Sequence, residues 1–219
     1  MLNKNNKLTK CIGELIEISA KTALSAIPIG GTLITSVWDS VKSNCAQHRL
    51  EQWMNMIEYR LSKLEITLEE ISNNDKFTTA LFHATESAIK TAELEKREYL
   101  ANAVLNSINC NVEESVMMMF MNMVDRYTVW HINILCYFEN PKHFFNNETP
   151  CFSMGSTKSL LYEAFPNLCD NEQIVDIILK ELQNDGMLLN CNFNATMTER
   201  GMLDSRTSEL GAQFIKFLS

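Results

Sequence analysis

Apolar residues recur along this chain mostly at intervals of three and four, the spacing that gathers them on one side of a helix. The longest such stripe is Leu50, Trp53, Ile57, Leu61, Leu64, Leu68 and Ile71, spaced 3, 4, 4, 3, 4 and 3. It holds for about three heptads, which suits a helix packed against other helices, and it also offers a seam to a second copy of the chain. Ser72-Asn73-Asn74-Asp75 ends it, because short polar side chains compete with the helical backbone for hydrogen bonds. Ahead of the stripe, Ile12, Leu15, Ile16 and the run Ile18 to Leu24 predict a first helix, broken by Pro28 and Gly30-Gly31. Behind it, Phe77, Leu81, Ala84, Ala88, Ala92, Tyr99, Ala103 and Val104 predict one long helix over 76–108. Asn111 is placed to cap the next, where Glu113 and Glu114 meet the positive helix end and Met117 to Met123 supply an apolar run. Thr128 caps a further helix with Trp130, Ile134, Leu135 and Phe138 inward, stopped by Asn140-Pro141.

The rhythm then changes. Residues 143–156 are polar and irregular, with Asn146, Asn147, Pro150 and Gly155, and read as a linker between a helical bundle over 1–142 and a module over 157–219. In the module, Ser159 to Phe165 is a short helix ended by Pro166. Asn171 to Asp185 is an amphipathic helix with Ile174, Ile177, Ile178 and Leu182 inward and Gly186 as its C-terminal cap. Met187-Leu188-Leu189 predicts a strand, turned at Cys191 to Asn194 towards Ala195 to Thr198, and Thr207 caps a last helix with Leu210, Phe214, Ile215 and Phe217 inward. Helix, helix, hairpin, helix is the order of a winged-helix domain. The fold expected is therefore mainly α: an N-terminal antiparallel helical bundle followed by a small winged-helix module with a β-hairpin.

Composition agrees with the helices. Only 7 Gly and 4 Pro occur in 219 residues, too few for the turns of a β-rich fold, and 46% apolar content is enough for a core. Nineteen Lys and Arg against 27 Asp and Glu leave a net charge of −8, so nothing global draws the chain to nucleic acid or anionic lipid. Seven cysteines at irregular spacing, without a C-x-x-C pair, read as reduced thiols in a cytoplasmic protein.

Candidate chemistry is sparse. There is no P-loop, no G-x-G-x-x-G, no H-E-x-x-H and no G-x-S-x-G, and His48, His83, His131 and His143 fall on different predicted segments. A non-enzymatic protein with no metal and no cofactor is expected. A winged helix ordinarily places its second helix in a DNA groove, but here that helix carries Glu172, Asp176, Glu181 and Asp185 against Lys180 alone. From Phe152 onward five Lys and Arg face nine Asp and Glu, so phosphates would repel the module. The acidic helix suits a protein partner instead, with Glu172, Asp176, Lys180 and Glu181 as candidate contacts. Thr22 to Trp38 is seventeen residues without a charge, the short limit for a membrane span. Pro28, Gly30 and Gly31 make it a poor lipid-facing helix, so it reads as a buried bend, with a triggered membrane segment as the alternative.

Three stretches carry a resemblance: Ala26-Ile-Pro-Ile-Gly-Gly, Glu95-Lys-Arg-Glu-Tyr-Leu-Ala-Asn-Ala-Val-Leu, and Thr207 to Phe214, where a small Gly permits close packing. Together they resemble a family of uncharacterised bacterial helical-bundle proteins with a C-terminal winged-helix module, associated with antiviral defence loci. The resemblance implies a bacterial accessory or adaptor subunit that works through protein–protein interaction. A membrane-acting effector using 22–38 is the runner-up, and a winged-helix DNA-binding regulator the third reading.

Overall fold

The structure, a computed structural model, describes residues 13–14, 35–64, 71, 73–108, 112–145 and 154–219, and it is mainly helical. Two compact units divide the chain: Met1–Arg126 with Phe217–Ser219, and Tyr127–Lys216. The division falls at Arg126/Tyr127, ahead of the 143–156 stretch expected to be a linker; residues 146–153 of that stretch lie outside the described residues.

The first unit holds α1 (Thr35–Ser62), α2 (Asp75–Lys90), α3 (Leu94–Ile108) and α4 (Glu114–Arg126). Helix α2 packs against each of the other three. Of the stripe expected over 50–71, Leu50, Trp53, Ile57 and Leu61 are buried on α1, but the helix ends at Ser62, where Lys63 and Leu64 turn back onto Arg60 O and Leu61 O; Leu64 is exposed, Leu68 lies outside the described residues, and Ile71, beyond the helix, is buried. The seam proposed for a second copy is thus largely taken up by the chain's own residues. Burying the Trp53 indole is inexpensive because its N–H donates to Thr85 Oγ1 at 3.0 Å, and that hydroxyl donates to Leu81 O at 2.7 Å. In α4, Met117, Phe120, Met121 and Val124 are buried and Met118, Met119 and Met123 only half-buried, so the methionine run covers one core-facing side.

The helix expected over 76–108 is two helices. Thr91 leaves the helical region with φ −88° and ψ 139°, and its hydroxyl accepts the Glu93 N–H at 3.2 Å. That local bond offers the backbone an alternative to the helix, and the pattern kept its period across the break because Ala88 and Ala92 fit either geometry. Asn74 ties the pair together: its side chain accepts from Phe77 N at 3.0 Å, capping α2, and donates to Ile108 O at 3.0 Å, closing α3. Phe217–Ser219 join this unit because Asn102 donates to Leu218 O and Asn106 to Phe217 O and Ser219 O, at 2.7, 2.9 and 2.9 Å.

The second unit holds α5 (Val129–Glu139), a 3-10 turn Pro141–Phe145, β1 (Met154–Gly155), α6 (Thr157–Ala164) and a 3-10 turn Pro166–Asn171. There follow α7 (Glu172–Asn184), β2 (Met197–Thr198), α8 (Glu199–Met202) and α9 (Glu209–Leu218), whose last two residues fall in the first unit. Gly186 caps α7 as expected: at φ 74° it donates to Gln183 O, and Met187 donates to Leu182 O, the paired bonds of a Schellman motif. The strand pairing differs from expectation. Met187–Leu189 pairs antiparallel with Arg206–Ser208, through Leu189 N to Arg206 O at 2.8 Å and Ser208 N to Met187 O at 2.9 Å, while β2 pairs with β1. A turn at 191–194 would have forced the nearer pairing; instead Lys158 N and Thr157 Oγ1 both donate to Phe193 O, fastening that turn to α6. The cap of α9 is Ser208, whose hydroxyl accepts from Gly211 N at 3.0 Å, one residue beyond the expected Thr207. Close packing at Gly211 is real: a Cβ there would collide with the Met187 carbonyl oxygen.

Candidate functional site

Helix α7 is built on Val175, Ile178, Leu179 and Leu182, an i, i+3, i+4, i+7 set that is fully buried and packs in part against α5. Ile174 and Ile177, expected inward, are 52% and 56% exposed. The expected stripe and the actual one share Ile178 and Leu182 and differ by a rotation of the helix, which periodicity alone left open. Val175 was the residue whose inclusion would have decided it.

That rotation changes what the four candidate contact residues do. Glu172 and Asp176 reach back to Lys158 at the start of α6, with Nζ to Glu172 Oε1 at 2.9 Å and to Asp176 Oδ1 at 2.6 Å. Lys158 is 3% exposed, while both carboxylates keep more than half their surface in water. Burial alone would lower the ammonium's pKa, but the bonds to Asp176 and Glu172 outweigh it and hold it above its ordinary value. The Tyr162 ring lies 5.9 Å from Nζ; burial raises the pKa of its phenol, against the pull of the same ammonium. The two acids are therefore anchors first, and Lys158 is a member of the site that the sequence reading did not single out.

Glu181 also has a partner inside the unit. Its Oε2 lies 2.8 Å from Nε2 of the buried His131, whose Nδ1 accepts from the Thr128 N–H at 3.2 Å. Since Nδ1 accepts a backbone N–H, the hydrogen bonds assign the ring proton to Nε2, which donates to Glu181. The neighbouring Tyr127 ring stacks on His131 at 5.0 Å and its hydroxyl donates to Asp185 at 2.6 Å. Of the four candidates, Lys180 alone makes no side-chain bond among the described residues; it is exposed and lines a groove of about 320 Å³ between α7 and residues 191–194. Asp176, Asn192 and Asn194 give that groove polar edges, and the buried Leu179 and Phe193 line it as well.

Pro28, Gly30 and Gly31 lie outside the described residues, as does most of Thr22–Trp38. Among the described residues no helix is long and apolar enough to cross a membrane, and no three His, Cys, Asp or Glu side chains converge as a metal site. Two half-buried thiols among the described residues are held protonated: burial, with help from Glu139, pushes Cys136 up to about 11, and burial raises Cys191 against the nearby Arg206. No family model matches the chain, and neither does any curated protein or solved structure.

Proposed function

We propose that the protein is a non-enzymatic adaptor that binds a protein partner through the solvent face of α7, with 157–219 serving as a winged-helix-type module turned to protein recognition. The observation that carries the reading is the exposure of Ile174 and Ile177 on a helix whose core stripe is already complete without them. Two adjacent exposed isoleucines, i and i+3, form an apolar ridge of the kind that fills a pocket on a partner. Around the ridge, Glu172, Asp176 and Glu181 keep exposed carboxylate surface while paired to Lys158 and His131, so the rim is negative yet rigid.

The partner that fits is a protein surface with an apolar pocket and a basic rim; the charge match would set encounter rate and specificity more than affinity. Duplex DNA suits the face poorly, since phosphates meet an acidic rim. The resemblance to bacterial helical proteins of defence loci suggests seeking the partner among the products of neighbouring genes. A photo-crosslinking residue in place of Ile177, expressed in the native host, is expected to give one discrete adduct that the same residue in place of the exposed Glu163 on α6 does not. Identical adducts from both positions, none from 177, or an adduct with a second copy of this chain would each overturn the reading.

A further inference from the structure

The groove beside α7 has two walls that the fold itself fixes. One is the flank of α7 that carries Asp176, Leu179, Lys180 and Gln183, spaced i, i+3, i+4, i+7 and so stacked along one side of the helix. The other is the turn 191–194. Gln183 bridges them, its Nε2 donating to Leu189 O at 3.1 Å and to Cys191 O at 2.9 Å. The turn also holds itself: Asn194 N donates to Asn192 Oδ1 at 3.0 Å and Ala195 N to Asn192 O at 3.1 Å, while Phe193 O fastens it to α6. Walls ordered in advance lose little entropy when a ligand binds between them.

The lining carries one acid and one ammonium, and the fold has separated them. Four residues apart on a helix, Asp176 and Lys180 would ordinarily pair. Here Asp176 Oδ1 is turned to Lys158 Nζ at 2.6 Å, and the exposed Lys180 makes no side-chain bond among the described residues. More than half of the Asp176 side chain still meets water, so its carboxylate has room for a second donor. Asn192 spends its side-chain oxygen on the turn, and its Nδ2 makes no bond among the described residues. The groove thus offers an acceptor, a cation about 6 Å further along the helix, an amide donor, and the apolar Leu179 and Phe193.

We propose that this groove binds a free α-amino acid with a small apolar side chain. The ligand's ammonium meets Asp176, its carboxylate meets Lys180 and the Asn192 amide, and its side chain rests on Leu179 and Phe193. A simple anion would be opposed by Asp176 and a simple cation by Lys180, so a ligand carrying both charges matches the lining. The interior of a peptide has neither charge, and a chain end has only one. About 320 Å³ is at the small end of ligand sites, which suits a body the size of one residue. The site stands independently of partner docking, whose ridge is Ile174 and Ile177, and its test needs no partner.

Titration of the full chain with L-valine, followed through the amide NMR signals of α7 and 191–194, tests it. Saturable shifts are expected there, with binding weakened at least about tenfold for N-acetyl-L-valine, which lacks the ammonium, and for L-valinamide, which lacks the carboxylate. Lys180→Gln should weaken L-valine by a similar factor and leave L-valinamide unchanged, since that ligand has no carboxylate to lose. Lys180 is exposed, so the fold does not rest on its ammonium, and the two modified ligands test the site on unaltered protein. Absence of saturable shifts up to about 10 mM, equal binding of the three ligands, or equal L-valine binding by wild type and Lys180→Gln would overturn the site.

Discussion

Among the described residues, each unit buries one Lys or Arg side chain, and the two are treated in opposite ways. Lys158 in the second unit has two carboxylates on its ammonium at 2.9 and 2.6 Å, while Arg97 in the first has an amide oxygen, a neighbouring arginine and an N–H with no acceptor. Helices show the same contrast: the stripe of α1 is spent inside its unit, whereas α7 fills its core and leaves two isoleucines in water. The difference separates groups satisfied within the fold from groups that are not. Lys158, His131 and the α1 stripe are of the first kind; the Arg97 Nε–H, Ile174 and Ile177 are of the second.

The largest expected effect strands Lys158. Glu172→Ala combined with Asp176→Ala leaves a buried ammonium unpaired and should cost about 3–5 kcal/mol in urea unfolding. Lys158→Met, which frees the two acids to face water, should cost much less, and equal losses would mean that packing and not charge holds α6 to α7. Next comes the apolar contrast: Leu61→Ala should cost about 2–5 kcal/mol and Ile177→Ala less than about 0.5, so a large loss at Ile177 would place it in a core. Gly211→Ala, whose new methyl would strike the Met187 carbonyl, should cost about 1–3 kcal/mol and lower the melting temperature accordingly. Arg97→Met should change stability by less than about 1 kcal/mol, because no carboxylate is stranded when the guanidinium goes. The smallest effect is in alkali. The folded state holds the Lys158 pKa above its ordinary 10.5, so its contribution is complete below that pH and disappears as pH rises through the folded value. Lys158→Met should therefore flatten the stability curve only above pH 10.5; a difference in slope between pH 7 and 9 would assign that slope to another group.

Much of the helical content was legible because stripes such as Leu50 to Ile71 repeat often enough to define a face, and because Gly186 and Pro166 punctuate plainly. What escaped was set by tertiary partners. Thr91 breaks 76–108 with no Gly or Pro to announce it. The rotation of α7 depends on whether Val175 or Ile174 is counted, and the strand partner of Met187–Leu189 depends on Phe193 being held by Thr157 and Lys158. At the candidate site, the sequence singled out α7 and its acids, but it could not show that Glu172 and Asp176 meet Lys158, fourteen and eighteen residues earlier. Arg97 lay within a stretch that reads as a solvated charge run, and only its burial distinguishes it from its neighbours.

The most direct measurement is the affinity of the partner cross-linked at position 177 for wild-type protein and for the double variant Ile174→Ser/Ile177→Ser, with a melting curve for each. Docking through α7 predicts binding weakened at least about tenfold, roughly 1.4 kcal/mol, at an unchanged melting temperature. Equal affinity for the two proteins, or a loss of affinity that only accompanies a loss of fold, would contradict it.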